Sequence, residues 1–206
     1  DVRAVSGHAA AGAMQRSSNS WDGAESTRMR DYENSFMWLA DGMISSLCFN
    51  ASDPSSVGLS MYLDRPTLKC YMCDTGLLVT HALMDRDGAD NSFYRDILLD
   101  RLGVNEGMFM ENIVAQMLQA SGNRLFYYYR SDAGNAENNM EVDFLIRADR
   151  KICPIEVKSS SSDSVSSLKK FHRRFPNTGQ QIILYTGDVK TADGILYLPA
   201  YMAPFL

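Results

Sequence analysis

Asp143, Glu156 and Lys158 are the residues of this chain whose types and spacing best suit chemistry. Asp143 sits in the run Glu141-Val-Asp-Phe-Leu-Ile146, and the other two end the run Ile152-Cys-Pro-Ile-Glu-Val-Lys158. Apolar and β-branched residues dominate both runs. The polar cluster Arg147-Ala-Asp-Arg-Lys151 between them predicts a hairpin turn. Side chains alternate along a strand, so Glu156 and Lys158 share one side while Ile155 and Val157 take the other. A hairpin brings Asp143 beside Glu156. Two adjacent carboxylates resist ionising together, so the pair implies a divalent cation, a neighbouring base or a raised pKa. Lys158 supplies positive charge.

The elements that must position these residues begin near Glu106 or Gly107. Met108 to Ala120 predicts a helix with Met108, Phe109, Ile113, Met117 and Leu118 facing the core, ended by Ser121-Gly122. Glu111 lies within it, either solvated on the outer face or aimed at the sheet that follows. Leu125 to Arg130 reads as a strand and Ser131 to Asn139 as a polar loop, and then comes the hairpin. After a serine-rich stretch, a helix ending at Phe175 turns Leu168, Phe171 and Phe175 inward and Lys169, Lys170, Arg173 and Arg174 outward. Those four could contact phosphates, although such a run is also the ordinary solvated face of a helix. Strands over Gln180 to Thr186 and Gly194 to Leu198 complete an α-β-β-β-α-β-β order.

The first half reads differently. Residues 1 to 30, rich in Ala, Gly, Ser and Arg, suit a linker or a weakly packed helix. A helix follows, with Asp31 as N-cap and Tyr32, Phe36, Leu39, Ala40 and Met43 on one face. A short strand over Met43 to Phe49, a loop containing Asp53-Pro54, and a strand over Leu68 to Cys73 give a helix-strand-loop-strand order that suits a winged helix. The helix carries Asp31, Glu33 and Asp41 without Lys or Arg. It therefore suits a protein contact or a structural role better than DNA, whose phosphates need cations. Asp74-Thr75-Gly76 is a tight turn before a helix over Leu77 to Met84, and Asp85 to Ser92 reads as a polar loop.

At 206 residues the chain can bury a substantial core in one large domain or two small ones. The net charge of -5 is uneven: residues up to Glu106 carry 9 basic and 15 acidic side chains, and the rest carry 11 and 10. Bulk charge therefore neither demands nor excludes nucleic acid. No apolar run approaches the ~18 residues of a membrane span, so a soluble cytoplasmic protein without membrane partners is expected. The start at Asp1, with neither methionine nor signal peptide, reads as a fragment of a longer protein. Cys48, Cys70, Cys73 and Cys153 are too few and scattered for a disulfide framework. Cys70 and Cys73 have CxxC spacing, but positions three apart on a strand face opposite sides, so buried thiols are expected rather than a zinc site. His8, His81 and His172 show no metal or dyad spacing.

Glu on the first helix, Asp on the second strand and Glu-x-Lys on the third resemble the restriction-endonuclease-like, or PD-(D/E)xK, nuclease superfamily. The matching residues are Glu111, Asp143, Glu156 and Lys158. A broader resemblance rests on five ordered blocks: Leu68-Lys-Cys-Tyr-Met-Cys-Asp-Thr-Gly-Leu-Leu78, Phe109-Met-Glu-Asn-Ile-Val-Ala-Gln116, Tyr128-Tyr-Arg-Ser131, Glu141-Val-Asp-Phe-Leu145 and Pro154-Ile-Glu-Val-Lys-Ser-Ser160. These are similar to the C-terminal region of prokaryotic AAA+ type ATPases, in which a winged-helix segment and a nuclease-like domain follow the ATPase.

The resemblance implies an α/β (α+β) fold: a linker plus winged-helix-like segment over 1–105, and a mixed central sheet flanked by helices over 106–206. It implies Mg²⁺ or Mn²⁺ held by Asp143, Glu156 and the Val157 carbonyl, with Glu111 in support and Lys158 orienting the attacking water or stabilising developing charge. The expected reaction is phosphodiester hydrolysis in DNA. No G-x-x-x-x-G-K-[ST] occurs, so ATP is expected only on an N-terminal ATPase domain outside this sequence, the implied partner. The competing expectation is a non-catalytic module that joins the ATPase to a protein or to DNA. In that case Glu156 and Lys158 form a surface ion pair on a fold that has lost its chemistry.

Overall fold

The computed structural model describes residues 29–56, 58–83, 106–132, 134–135, 138–159 and 165–206. The expected loop at 85–92 and nearly all of the expected linker, with His8, lie outside the described residues. Helix α1 (Met29–Asp41) leads into strand β1 (Ser45–Ala51), a 3-10 turn (Leu59–Tyr62), strand β2 (Leu63–Met72) and helix α2 (Thr75–Leu83). The second half runs through α3 (Glu106–Ala120), β3 (Phe126–Arg130), β4 (Met140–Val142), β5 (Phe144–Ala148) and β6 (Lys151–Val157). It ends with α4 (Ser166–Arg174), β7 (Gln181–Tyr185), β8 (Lys190–Ala192), β9 (Ile195–Pro199) and a 3-10 turn (Ala200–Phe205).

The result is a mixed α/β structure with two mixed sheets, ordered β2-β1-β3-β4 and β5-β6-β7-β9-β8. β1 and β2 form the expected antiparallel hairpin, with a bulge after Phe49 that lets Asn50 and Ala51 pair with Asp64 and Leu63. The other edge of β1 pairs in parallel with β3 through Phe49–Phe126 and Asn50–Tyr127. Where that ladder stops, the Asn50 amide continues it: Oδ1 accepts the Tyr129 N–H at 2.9 Å and Nδ2 donates to the Tyr129 carbonyl at 3.4 Å. The division expected near residue 105 therefore cuts across a shared sheet. The hairpin is built into that sheet, with β2 at its edge and β1 inside it, because β1 offers its second edge to β3.

Alternation along the strands feeds two apolar layers. Tyr127, Phe144, Ile155, Ile182 and Leu184 pack with Val114 and Leu118 of α3 and with Ala203. Phe126, Leu145, Ile152 and Ile183 pack on the opposite side with Leu168 and Phe171 of α4. α3 and α4 thus cover opposite faces. The β5–β6 hairpin closes with Ala148 opposite Lys151, leaving Asp149 at φ 54°, a left-handed conformation that Asp tolerates better than most residues.

At the start of β7, Gly179 donates to the Ile152 carbonyl at 2.7 Å, so the two backbones approach closely. A Cβ on Gly179 falls 2.5 Å from Cys153 Sγ and 3.2 Å from Lys151 Cβ. Gly179→Ala is therefore expected to cost about 1–3 kcal/mol by overpacking, read as a lower urea midpoint at unchanged slope.

Candidate functional site

Asp143 lies where the chain leaves one sheet for the other. β4 pairs with β3 up to Val142, and β5 pairs with β6 from Phe144, so the single strand expected over Glu141 to Ile146 is broken at Asp143 itself. Its side chain continues the β5–β6 ladder one step further, Oδ2 accepting the Val157 N–H at 2.8 Å. That bond places Asp143 next to Glu156 and Lys158. Lys158 in turn donates its backbone N–H to the Leu184 carbonyl at 2.8 Å and its ammonium to Glu156 Oε1 at 2.7 Å. Glu156 Oε2 is buried and has no hydrogen-bond partner among the described residues.

α3 brings the third carboxylate. Its buried stripe is Glu111, Asn112, Val114, Ala115 and Leu118, whereas Met108, Phe109, Ile113 and Met117 are only half-buried. The helix is rotated relative to the expected face because two of its polar side chains dock on β2. Asn112 Oδ1 accepts the Met72 N–H at 2.9 Å, and its Nδ2 donates to the Met72 carbonyl at 3.1 Å and to Thr75 Oγ1 at 2.9 Å. This fixes the helix against the end of β2 and aims Glu111 inward, the second of the two accounts expected for it.

What Glu111 meets there is a lysine. Lys69 of β2 is fully buried, and its ammonium lies 2.8 Å from Glu111 Oε1, 2.7 Å from Glu141 Oε1 and 3.7 Å from Asp143 Oδ1. Tyr71, two residues along the same face of β2, donates its hydroxyl to Glu111, and the Lys69 ammonium also lies 5.1 Å from the centre of the Tyr127 ring. Sequence reasoning missed Lys69, Tyr71 and Glu141. The available signal was alternation: Lys69 and Tyr71 share a strand face, so if one is inside both are.

Charge explains the arrangement. Burial alone pushes the Lys69 pKa down, but the carboxylates of Glu111, Asp143 and Glu141 more than offset this, holding it well above its ordinary value and charged. Burial, then the charge of Glu111, pushes Asp143 up to about 8, against the opposing pull of Lys69. Burial raises Glu156 as well, and Lys158 counteracts it. Burial and Glu111 together keep the Tyr71 phenol protonated, well above its ordinary value. With Glu111, Glu141, Asp143 and Glu156 all ionised against Lys69 and Lys158, four negative charges face two positive ones, a formal excess of two.

The cluster is graded from floor to mouth. Side-chain exposure is 0 % at Lys69 and 6 % at Glu111, but 23 % at Glu141 and 21 % at Lys158. Among the described residues no three Asp, Glu, His or Cys side chains are arranged as a ready cage for a metal ion. The carboxylates close instead around an ammonium. Their chemistry nevertheless fits a hard divalent cation: the donors are all carboxylate oxygens, one of them buried without a partner among the described residues, and the local charge excess is of the right sign.

The basic residues of α4 are not part of this cluster. α4 covers the opposite face from α3, and there Lys169 pairs with Asp193 at 2.8 Å and Lys170 donates to the Asn139 carbonyl at 3.3 Å. The Arg174 guanidinium lies 5.6 Å from the Phe175 ring centre. All four cysteines are free thiols, Cys48 and Cys153 buried and Cys70 and Cys73 half-buried. His81 and His172 are exposed.

A family model described as a domain of unknown function (DUF4143) matches residues 106–201. The matched stretch begins with α3 and includes Glu111, Glu141, Asp143, Glu156 and Lys158, but β2, with Lys69 and Tyr71, lies outside it. No curated protein and no solved structure matches the chain. No described helix is long and apolar enough to cross a membrane.

Proposed function

We infer that the cluster serves metal-dependent hydrolysis of phosphodiester bonds in DNA, in the C-terminal part of a larger AAA+ type ATPase. The observation that carries this reading is the convergence of Glu111, Asp143, Glu156 and Lys158 where the two sheets part, with one buried carboxylate oxygen left unpartnered. Asp143 and Glu156 are the residues to hold Mg²⁺ or Mn²⁺, with Glu111 supporting from the floor. When bound, the cation would acidify a water and offset phosphate charge. Lys158, partly exposed at the mouth and paired with Glu156, would meet a phosphate or an attacking water. The restriction-endonuclease-like topology and the attachment to an ATPase domain rest on the sequence resemblance.

The test incubates single- and double-stranded DNA with Mg²⁺ or Mn²⁺, using the chain and the full-length protein with ATP. Asp143→Asn and Lys158→Met keep side-chain size and are each expected to slow cleavage on the order of a hundredfold or more. Cleavage that persists in both variants means a contaminating nuclease. A second reading, a non-catalytic module that joins the ATPase to a protein or to DNA, is favoured by one observation: Lys69 already gives the carboxylates a cation. Absence of cleavage by the full-length protein, with a partner retained by Lys158→Ala in a pull-down, would select it.

A further inference from the structure

We propose that the Lys69 ammonium is the resident cation of the acidic cluster, competing with a divalent metal ion for the same carboxylates and thereby setting the metal affinity of the site. The inference rests on the metal-dependent reading of this cluster. Its residues are Lys69 on β2, Glu111 on α3, and Glu141 and Asp143 on either side of the point where the chain changes sheets.

The ammonium is fully buried, within 2.8 Å of two carboxylates and 3.7 Å from a third, so it takes up the lone pairs that a cation would need. An ammonium is a compact point charge with three donors, the side-chain group nearest to a metal ion in size and charge. It supplies one positive charge where the formal excess calls for more, and Glu156, a residue only 8 % exposed, keeps its Oε2 without a hydrogen-bond partner among the described residues. Glu156 is close enough for its charge to act on Asp143, and those of Glu141 and Lys69 act on it in turn. A divalent ion entering from the Glu141 and Lys158 side would meet the repulsion of a buried like charge. That repulsion is strong at low effective dielectric and little screened by salt. Metal binding therefore requires Lys69 to withdraw, and Lys69 sits on β2, whose end α3 clasps through Asn112 on Met72, while Gln116 of the same helix accepts the Thr75 N–H just beyond it. The position of the β1–β2 hairpin against α3 is thereby coupled to metal occupancy, and a partner that shifts the hairpin would change metal affinity.

The experiment titrates Mn²⁺ into the wild-type chain and Lys69→Met, each stripped with a chelator, following bound ion by electron paramagnetic resonance and melting temperature. Lys69→Met is expected to bind Mn²⁺ about tenfold tighter or more than wild type, and to gain more melting temperature from it. If Lys69→Met folds only when Mn²⁺ is added, that too supports competition. If it does not fold at all, Lys69→Met combined with Glu141→Gln, which removes one charge of each sign, is titrated instead with the same expectation. Equal or weaker Mn²⁺ binding by the lysine variant overturns the proposal, as does no binding by either protein. Tight binding by Lys69→Met without DNA cleavage by wild type leaves this inference standing and removes the nuclease reading. Cleavage by wild type with equal Mn²⁺ affinities does the reverse.

Discussion

Lys69→Met, in chelator, is expected to lower the unfolding free energy by about 3–5 kcal/mol, the usual consequence of removing one partner from a buried ionic cluster. Methionine preserves the length of the stem and its packing beside Tyr127, so the loss isolates the charge. Glu111, Glu141 and Asp143 would then face one another without a cation, and the carboxylates would have to take up protons or water would have to enter. The loss should therefore be smaller at acidic pH. Lys158→Met is the control: its ammonium is 21 % exposed and among the described residues pairs with Glu156, so it should cost about 1–2 kcal/mol. Pairing Lys69→Met with Glu111→Gln should cost less than the two separate losses combined, because each single change strands the partner. Urea denaturation of the wild type, the three single variants and the double variant reads all of this. A Lys69→Met loss no larger than that of Lys158→Met would mean that the buried ammonium does not hold the cluster together.

What the sequence made legible follows from periodicity. The β5–β6 hairpin, the inward Leu168 and Phe171, and the meeting of Asp143 with Glu156 all follow from alternation or helical spacing within one or two adjacent elements. Glu111 was legible as one of two alternatives, and choosing between them needed the docking of Asn112 on Met72. Lys69 was not legible because both faces of its strand are apolar enough to be the inside: Leu68, Cys70 and Met72 on one, and Tyr71, with Cys73 beyond it, on the other. Only the pairing of Lys69 with the fully buried Cys48 on β1 decides the matter. The break at Asp143 was hidden for a related reason. Nothing local ends a strand in Glu141-Val-Asp-Phe-Leu-Ile146, and the interruption exists because Val142 pairs with β3 while Phe144 pairs with β6. The joining of the first half to the second was hidden at the same level, since the second edge of β1 belongs to β3, more than seventy residues away.

Stability of the chain in chelator is expected to fall as pH rises from about 5 to about 8, and Asp143→Asn should remove much of that fall. The sign follows from the protons bound. Asp143 ordinarily titrates at 3.8 but is pushed up to about 8 in the folded protein, and burial raises Glu156 above its ordinary 4.5. Between those limits the folded state holds protons that the unfolded chain has released. The stabilising contribution is complete below pH ~4 and is lost as pH climbs through the folded value. Asp53, Asp132 and Asp193 are lowered from 3.8 by their hydrogen bonds, so their contributions change on the acid side of this window. Lys69 is raised from 10.5 and stays charged throughout. In Asp143→Asn the amide oxygen can still accept the Val157 N–H while the side chain never ionises, so the variant should be the more stable protein at about pH 8. Urea midpoints at three or four pH values test both statements. A wild-type midpoint that holds or rises across the window, or an equal slope in the variant, would show that Asp143 is not under this strain. Adding Mn²⁺ should flatten the wild-type slope, because a cation among the carboxylates restores their ionised form and does part of what the proton does in its absence.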